Sequence, residues 1–189
     1  MPQVKELLVE QLQDLLHAEM QLTEALPKMV EAAHHPKLKQ AFEKHLEQTQ
    51  MQVERLKEAF ALLDEQAQPK PCKGIMGLIE EGQEVIQQGE EKEPLAADLS
   101  LITSAQKMEH YEIAGYGTVR TLARQLELMD VAGLLSRTLG EEESTDYLLT
   151  EISKPLLQQA TLDDLGAGVN LDNQPAAERS GKRRKAGSS

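Results

Sequence analysis

The stretch AQKMEHYEIAGYGT, residues 105–118, carries two carboxylates where a helix in a bundle normally carries apolar side chains. At about 100° of rotation per residue, Ile113 and Tyr116 define one hydrophobic stripe of such a helix. Glu109 and Glu112 fall on the same stripe, three residues apart. The stretch therefore predicts a long helix whose buried face contains a pair of glutamates.

The same pattern recurs on three other segments with helical periodicity. Their inward-facing polar residues are Glu19 on the first segment; His45, Thr49 and Gln52 on the second; and Glu142 and Asp146 on the last, with Thr145 beside them. Each of four predicted long helices thus places polar, mostly ionisable groups on its inner face near the middle of its length.

Hydrophobic periodicity and helix breakers divide the chain into four long helices and one short helix. The predicted helices run approximately from Val4 to Met29, Leu38 to Leu63, Gly74 to Gln88 (the short one), Leu95 to Leu128 and Val131 to Ile152. The last helix is expected to end before Pro155, with residues 156–166 forming a final short turn. Because aromatic residues make up only 3% of the chain, a β-sandwich or barrel is disfavoured. We predict an all-α fold, a four-helix bundle with a short crossover helix between helices 2 and 3, which is the ferritin-like arrangement.

The charge distribution separates a bundle domain from a tail. Residues 1–166 carry 15 basic and 30 acidic groups, whereas residues 167–189 carry 5 basic and 2 acidic groups in a Gly-, Ser- and Asn-containing sequence. We predict a bundle over residues 1–166 and a disordered basic tail over 167–189. An acidic body repels nucleic acid and anionic lipid, so neither a membrane nor a nucleic acid is an expected partner, except for nucleic acid through the tail.

The single cysteine and the N-terminal sequence indicate the compartment. Cys72 has no cysteine partner, so no intramolecular disulfide or Cys-rich zinc site can form. The N-terminus MPQVKELLVEQLQ lacks the apolar stretch of a signal peptide. A reducing, cytoplasmic location is expected.

Inward carboxylates in one core require compensation. An isolated buried carboxylate costs several kcal/mol or takes up a proton, and several in one core also repel one another. Two divalent or trivalent cations would neutralise them. Oxygen ligands with one imidazole and no thiolate favour iron or manganese, with zinc as an alternative. The candidate metal ligands are Glu19, His45, Glu109, Glu112, Glu142 and Asp146.

Five segments resemble the YciF/YciE family of ferritin-like bacterial stress proteins, and they are closer to its YciF branch. These segments are DLLHAEMQLTEALPKM around Glu19, HLEQTQMQVERL around His45, GLIEEGQEVI in the crossover helix, AQKMEHYEIAGYGT, and TLGEEESTDYLLTEI around Glu142. The resemblance covers residues 4–154. It implies a rubrerythrin-like bundle, a homodimer, a dinuclear metal site and a role in the stress response. Glu19, Glu109, Glu112 and Glu142 match the glutamates that ferritin-like proteins place on the corresponding helices.

The second and last long helices depart from the ferritin-like pattern. Such proteins usually bring a Glu-x-x-His pair on the second helix, where this chain has His45, Thr49 and Gln52, with Gln48 alongside. The last helix carries Glu142 without a histidine. Three functions stay open: a metal-binding stress protein of undefined activity, a di-iron or di-manganese enzyme that consumes peroxide or dioxygen, and a structural or interaction bundle without metal.

Overall fold

The computed structural model describes residues 3–168 and is helical throughout, apart from the connections. The helices are α1 (Gln3–Ala32), α2 (Pro36–Leu62), α3 (Lys73–Gly89), α4 (Pro94–Gln125) and α5 (Met129–Gly168). The predicted all-α fold with one short helix between the second and third long helices is confirmed. Residues 169–189, most of the predicted basic tail, lie outside the described part, so the predicted domain division stays a prediction.

The four long helices form two antiparallel pairs that pack side by side. α1 packs against α2, and α4 packs against α5, which is the most extensive helix contact in the described chain. α2 also contacts α5, and α1 contacts α4, which closes the bundle. The crossover helix α3 packs on the outside of α4 and α1. None of these helices is long and apolar enough to cross a bilayer.

Three of the four connections begin or end with a recognisable hydrogen-bond pattern. After α2 and after α4, Asp64 (φ 56°) and Glu127 (φ 60°) adopt the left-handed conformation, and the residue that follows donates its N–H back to the carbonyl five residues earlier. This is the Schellman arrangement that ends helices. Between α1 and α2, the buried Asp98 carboxylate of α4 accepts the backbone N–H groups of His34 (2.8 Å) and His35 (2.7 Å). The start of α2 is therefore tied to α4.

Prolines do not end the long helices in the way that the sequence predicted. α5 continues through Pro155 to Gly168, so the predicted end before Pro155 and the separate last turn are wrong. Proline removes one helical hydrogen bond, but Leu156, the next residue, is buried in the core with Leu38. Packing of this residue offsets the lost bond. α1 likewise runs through Pro27 to Ala32.

The hydrophobic core is divided into two parts along the bundle. One part contains Leu22, Leu26, Leu38, Phe42, Leu101, Ile102, Leu149 and Leu156, together with Cys72 and Ile75 of the crossover. The other contains Leu8, Leu12, Leu56, Phe60, Tyr116, Val119, Val131 and Leu135. On every long helix the residues between these two parts include the buried polar groups. The core is therefore interrupted by a polar layer across the middle of the bundle.

A candidate metal centre in the bundle core

The polar layer consists of side chains from all four long helices. Its fully buried members, each at most 3% exposed, are Glu19 of α1; His45, Thr49 and Gln52 of α2; Glu109 and Glu112 of α4; and Glu142 of α5. Hydrophobic residues pack above and below it. Ionisable groups are almost never fully buried unless they are paired, so their concentration at one level indicates a site.

Four of these residues converge on one point. His45, Glu109, Glu112 and Glu142 each present one ligand atom, and the four atoms lie within 4.8 Å of one another. The Nε2 atom of His45 is 3.1 Å from Oε1 of Glu109 and 3.9 Å from Oε2 of Glu142. We call these four residues the quartet. They come from three helices, and only the folded bundle brings them together.

Several oxygens of the polar layer have no hydrogen-bond partner within residues 3–168. They are Oε2 of Glu19, Oε2 of Glu109, Oε1 of Glu112 and Oε2 of Glu142, together with the amide oxygen Oε1 of Gln52. A buried acceptor without a partner costs about 1–3 kcal/mol, and more if it is charged. Three of the four carboxylates belong to the quartet. The unpartnered oxygens and the chemistry of the donors, one imidazole with carboxylates, both fit a divalent cation.

Burial dominates the protonation of these carboxyl groups. Desolvation raises the pKa of Glu19 to about 7, although the Tyr116 hydroxyl opposes this shift by donating to Oε1 of Glu19. Desolvation, then repulsion from neighbouring carboxylates, raises the pKa of Glu112 and Glu142 well above the usual range. Without a cation, the layer therefore holds protons that exposed glutamates would have lost.

The pKa of His45 is also raised, but neighbouring carboxylates rather than burial are the cause. Burial alone would lower the pKa of His45, but the Glu109 carboxylate and its hydrogen bond, with Glu19 beyond it, raise the pKa above its ordinary value. The Nδ1 atom of His45 lies 3.5 Å from the Thr145 hydroxyl, which leaves Nε2 directed at the carboxylates. A metal ion at this position would replace the proton on Nε2.

A second polar network adjoins the quartet on the α2–α5 side. The Gln52 side-chain amide donates to Oε1 of Glu142 and, at 3.2 Å, to Oε2 of Glu141. Arg55, only 7% exposed, forms a bidentate pair with Glu141 at 2.9 and 3.1 Å and donates to Thr138 at 2.5 Å. Burial alone would raise the pKa of Glu141, but these hydrogen bonds and the charge of Arg55 lower it.

Five of the six predicted ligands lie in the polar layer. Glu19 is in that layer but outside the quartet. Asp146 lies apart from it, because it is only partly buried and its Oδ1 atom accepts a hydrogen bond from Gln106 at 2.9 Å and lies 3.4 Å from the exposed His110. The inward orientation predicted for Asp146 is therefore wrong. One turn beyond Glu142, this residue has rotated toward the α4 surface.

Sequence reasoning missed Arg55 and Glu141. Arg55 lies at the edge of the α2 stripe, three residues after Gln52, and an arginine at that position usually indicates a solvated edge. Glu141 belongs to the run Glu141–Glu143, which has the composition of an exposed face. A signal was nevertheless present, since the inward Gln52 needs a partner and a charged residue one turn further on lies within reach.

Comparison with known proteins identifies relatives over nearly all of the described chain. Residues 3–162 match the family described as "Domain of unknown function (DUF892)". Protein YciF of Escherichia coli (strain K12) is 43% identical over 157 residues, which cover 81% of this chain and 92% of that protein.

Solved structures support the same relationship. The crystal structure of the E. coli stress protein YciF matches with a TM-score of 0.80 at 40% identity, covering 84% of this chain and 99% of that chain. YcfI from Rhodopseudomonas palustris, provisionally described as a structural protein, matches with a TM-score of 0.74 at 39% identity, covering 78% and 92%. A protein from Xanthomonas campestris pv. campestris shares the fold, with a TM-score of 0.67 at 21% identity over 86% and 99% of the two chains.

Proposed function

This chain belongs to the DUF892 family, and we propose that it is a YciF-like stress protein whose buried His45, Glu109, Glu112 and Glu142 bind a divalent metal ion. The stress role is carried over from E. coli YciF, which is described as a stress protein. The observation that carries the metal proposal is the convergence of four buried ligand atoms within 4.8 Å. Unpartnered oxygens on three of the four residues support it.

The donor set favours iron or manganese. Carboxylates suit Mg²⁺, Ca²⁺ and Mn²⁺, and imidazole suits Zn²⁺ and iron. A site with three carboxylates and one imidazole lies between these classes, and Mn²⁺ and Fe²⁺ accept both donor types. Such an ion would supply redox chemistry toward oxygen species. The residues themselves hold the ligand atoms in place and exclude bulk water, since each quartet member is at most 3% exposed.

Thr145 and Gln52 help to orient the ligands. The hydroxyl of Thr145 faces Nδ1 of His45, and the amide of Gln52 holds one oxygen of Glu142. Partners of this kind fix the tautomer and the direction of a ligand and raise metal affinity in metalloproteins. Their presence favours a binding function over an incidental accumulation of acidic groups.

Metal content after loading tests the proposal. Protein without a histidine tag is incubated anaerobically with Fe²⁺ or Mn²⁺, passed over a desalting column and analysed by plasma mass spectrometry. We expect bound metal in the wild type, a loss of more than tenfold in affinity for Glu142→Gln, and no change for Glu143→Gln, which alters a neighbouring exposed carboxylate. Wild-type protein that retains no metal would refute the proposal.

A metal-free structural role is the second candidate. It is supported by YcfI, the relative provisionally described as a structural protein, and by the Arg55–Glu141 pair, which shows that this core also holds charge by ion pairing. In that case protons and ion pairs would stabilise the layer, and adding Fe²⁺ or Mn²⁺ would leave the unfolding temperature unchanged.

A further inference from the structure

We infer that the centre takes one metal ion per chain rather than two, because the Gln52–Arg55 network fills the side of the layer where a second ion would need ligands. This inference rests on the proposed metal-binding function and specifies its stoichiometry. It differs from the dinuclear site that the family resemblance implies.

The size of the quartet fits a single coordination sphere. Ligand oxygens and nitrogens lie about 2.0–2.2 Å from a first-row divalent ion such as Zn²⁺, so two ligands on opposite sides of one ion are separated by roughly 4.4 Å. The four quartet atoms lie within 4.8 Å of one another, close to this limit. Two ions about 3.5–4 Å apart require a wider set, with terminal ligands at both ends and carboxylates that bridge.

One oxygen of Glu142 is already engaged by Gln52. The Oε1 atom of Glu142 accepts a hydrogen bond from the Gln52 amide, and its Oε2 atom is the one near His45. The Nε2 atom of Gln52 lies near two carboxylate oxygens, of Glu141 and Glu142, so the NH₂ group must face them. An NH₂ group is a donor only, so this end of Gln52 cannot ligate a cation. The amide oxygen Oε1 of Gln52 has no partner within residues 3–168 and stays available. Oε2 is therefore the oxygen of Glu142 that has no hydrogen-bond partner and faces the quartet.

Arg55 places a permanent positive charge behind Gln52. Its guanidinium is charged at all physiological pH values and is held in the core by Glu141 and Thr138. The charge extends into the layer, since Arg55 is among the groups that lower the pKa of Glu19 against the dominant effect of burial. Glu141 offsets this charge by ion pairing. The guanidinium carries donors only, so Arg55 occupies this side of the layer without offering a ligand atom to a second divalent ion.

The remaining positions do not supply a second ligand set. Glu19 is the one further buried carboxylate of the layer, and its Oε1 atom is occupied by the Tyr116 hydroxyl. Thr49 and Thr145 donate to carbonyls of their own helices, at 2.9 and 3.0 Å. Within residues 3–168, His45 is the one buried histidine. A second ion would thus lack an imidazole, and outside the quartet it would find one carboxylate oxygen of Glu19 and the neutral amide oxygen of Gln52 without partners.

Stoichiometry measured on the full-length protein tests this inference. Wild-type protein is loaded with excess Mn²⁺, freed of unbound metal and analysed by plasma mass spectrometry against amino-acid analysis. We expect about one equivalent per chain, together with the electron paramagnetic resonance hyperfine pattern of isolated Mn²⁺. Two equivalents with the spectrum of an interacting pair would overturn the inference but leave the proposed function standing. No bound metal would overturn the proposed function itself.

Two variants test the residues held responsible. Replacing the donor and the charge together, in Gln52→Glu/Arg55→Met, is expected to raise the stoichiometry toward two. The control Gln50→Glu makes the same amide-to-carboxylate change at an exposed position of α2 and should stay at one. A folded double variant that also stays at one would overturn the assignment to Gln52 and Arg55. If the double variant fails to fold, the wild-type stoichiometry and spectrum still decide the number of ions.

Discussion

The metal-free protein should become less stable as pH rises from 5 to 8, which is the reverse of ordinary acid denaturation. Burial raises the pKa of the Glu19 carboxyl from its ordinary 4.5 to about 7 in the folded state. Between these values the folded state holds a proton that the unfolded state has lost. Stability falls with pH wherever the native state binds more protons. The contribution is therefore intact below pH 4.5 and lost as pH rises through about 7.

The size of the effect follows from the shift. One pKa unit corresponds to about 1.4 kcal/mol. Ionisation of Glu19 alone should therefore lower the free energy of unfolding by roughly 3 kcal/mol between pH 4.5 and 8. Glu112 and Glu142 have raised pKa values and act in the same direction. The raised pKa of His45 adds stability that is present below pH 6.5. This stability is lost as the pH rises through the pKa that His45 has in the folded state. Glu141, whose pKa is lowered, contributes the opposite slope only below pH 4.5.

Urea unfolding of the full chain in EDTA, followed by far-UV circular dichroism at pH 5, 6, 7 and 8, measures this dependence. Glu19→Gln should flatten the slope and leave the protein more stable than wild type at pH 8, since the Tyr116 hydroxyl can still donate to the amide oxygen. Glu24→Gln, at an exposed position of the same helix, should keep the wild-type slope. Free energies of unfolding that are constant or increase from pH 5 to 8 in the metal-free wild type would refute the reasoning.

Three further predictions concern metal, a glycine and a turn. Mn²⁺ at 100 times its Kd at pH 8 should raise the free energy of unfolding by about 2.7 kcal/mol at that pH, and the same concentration should raise it less at pH 6 because protons compete for the ligands; thermal scans with and without metal check this. Gly74→Ala should destabilise the protein by about 1–3 kcal/mol, because a Cβ there would lie 2.6 Å from the Tyr111 ring. Gly77→Ala meets open space and should stabilise the protein by about 0.5–1 kcal/mol. Urea titrations of both variants compare them. Asp98→Ala should cost about 2 kcal/mol, because two backbone donors at the α1–α2 turn lose their acceptor; an unchanged urea midpoint would contradict that role.

Helical periodicity was sufficient to predict the fold and the position of the polar layer. Glu109 and Glu112 fall on the inner stripe of α4 by their spacing alone, and the structure buries both. The angle around a helix is fixed by 3.6 residues per turn, so an inward orientation follows directly when the apolar residues define the stripe. The same reasoning located His45, Gln52 and Glu142.

Prediction was least successful where the outcome depends on contacts between helices. Asp146 lies only one turn from Glu142, and the sequence alone does not reveal that Gln106 of α4 donates a hydrogen bond to its carboxylate. Arg55 was overlooked because the burial of a guanidinium depends on Glu141 and Thr138 of α5. Pro155 was expected to end a helix, and the local cost of a proline is indeed about 3 kcal/mol. Burial of Ile152 and Leu156 on either side of Pro155 stabilises the continued helix against that cost.

Contacts around the polar layer also bear on the proposed number of ions, which the sequence alone does not give. The inward carboxylates suggested two cations by charge alone. The structure shows that burial raises the pKa of Glu112 and Glu142, which keeps protons on them, and that Asp146 is held outside the layer by Gln106. Counting inward residues therefore overestimates the charge that metal ions must neutralise.

Anomalous diffraction from a crystal of the full-length protein grown with Mn²⁺ would test the central claim most directly. We predict a single anomalous peak in the polar layer, coordinated by Nε2 of His45 and by oxygens of Glu109, Glu112 and Glu142. Data from Glu142→Gln crystals should show this peak weakened or absent. A wild-type map with no peak at the quartet, under conditions in which surface carboxylates bind Mn²⁺, would contradict the account.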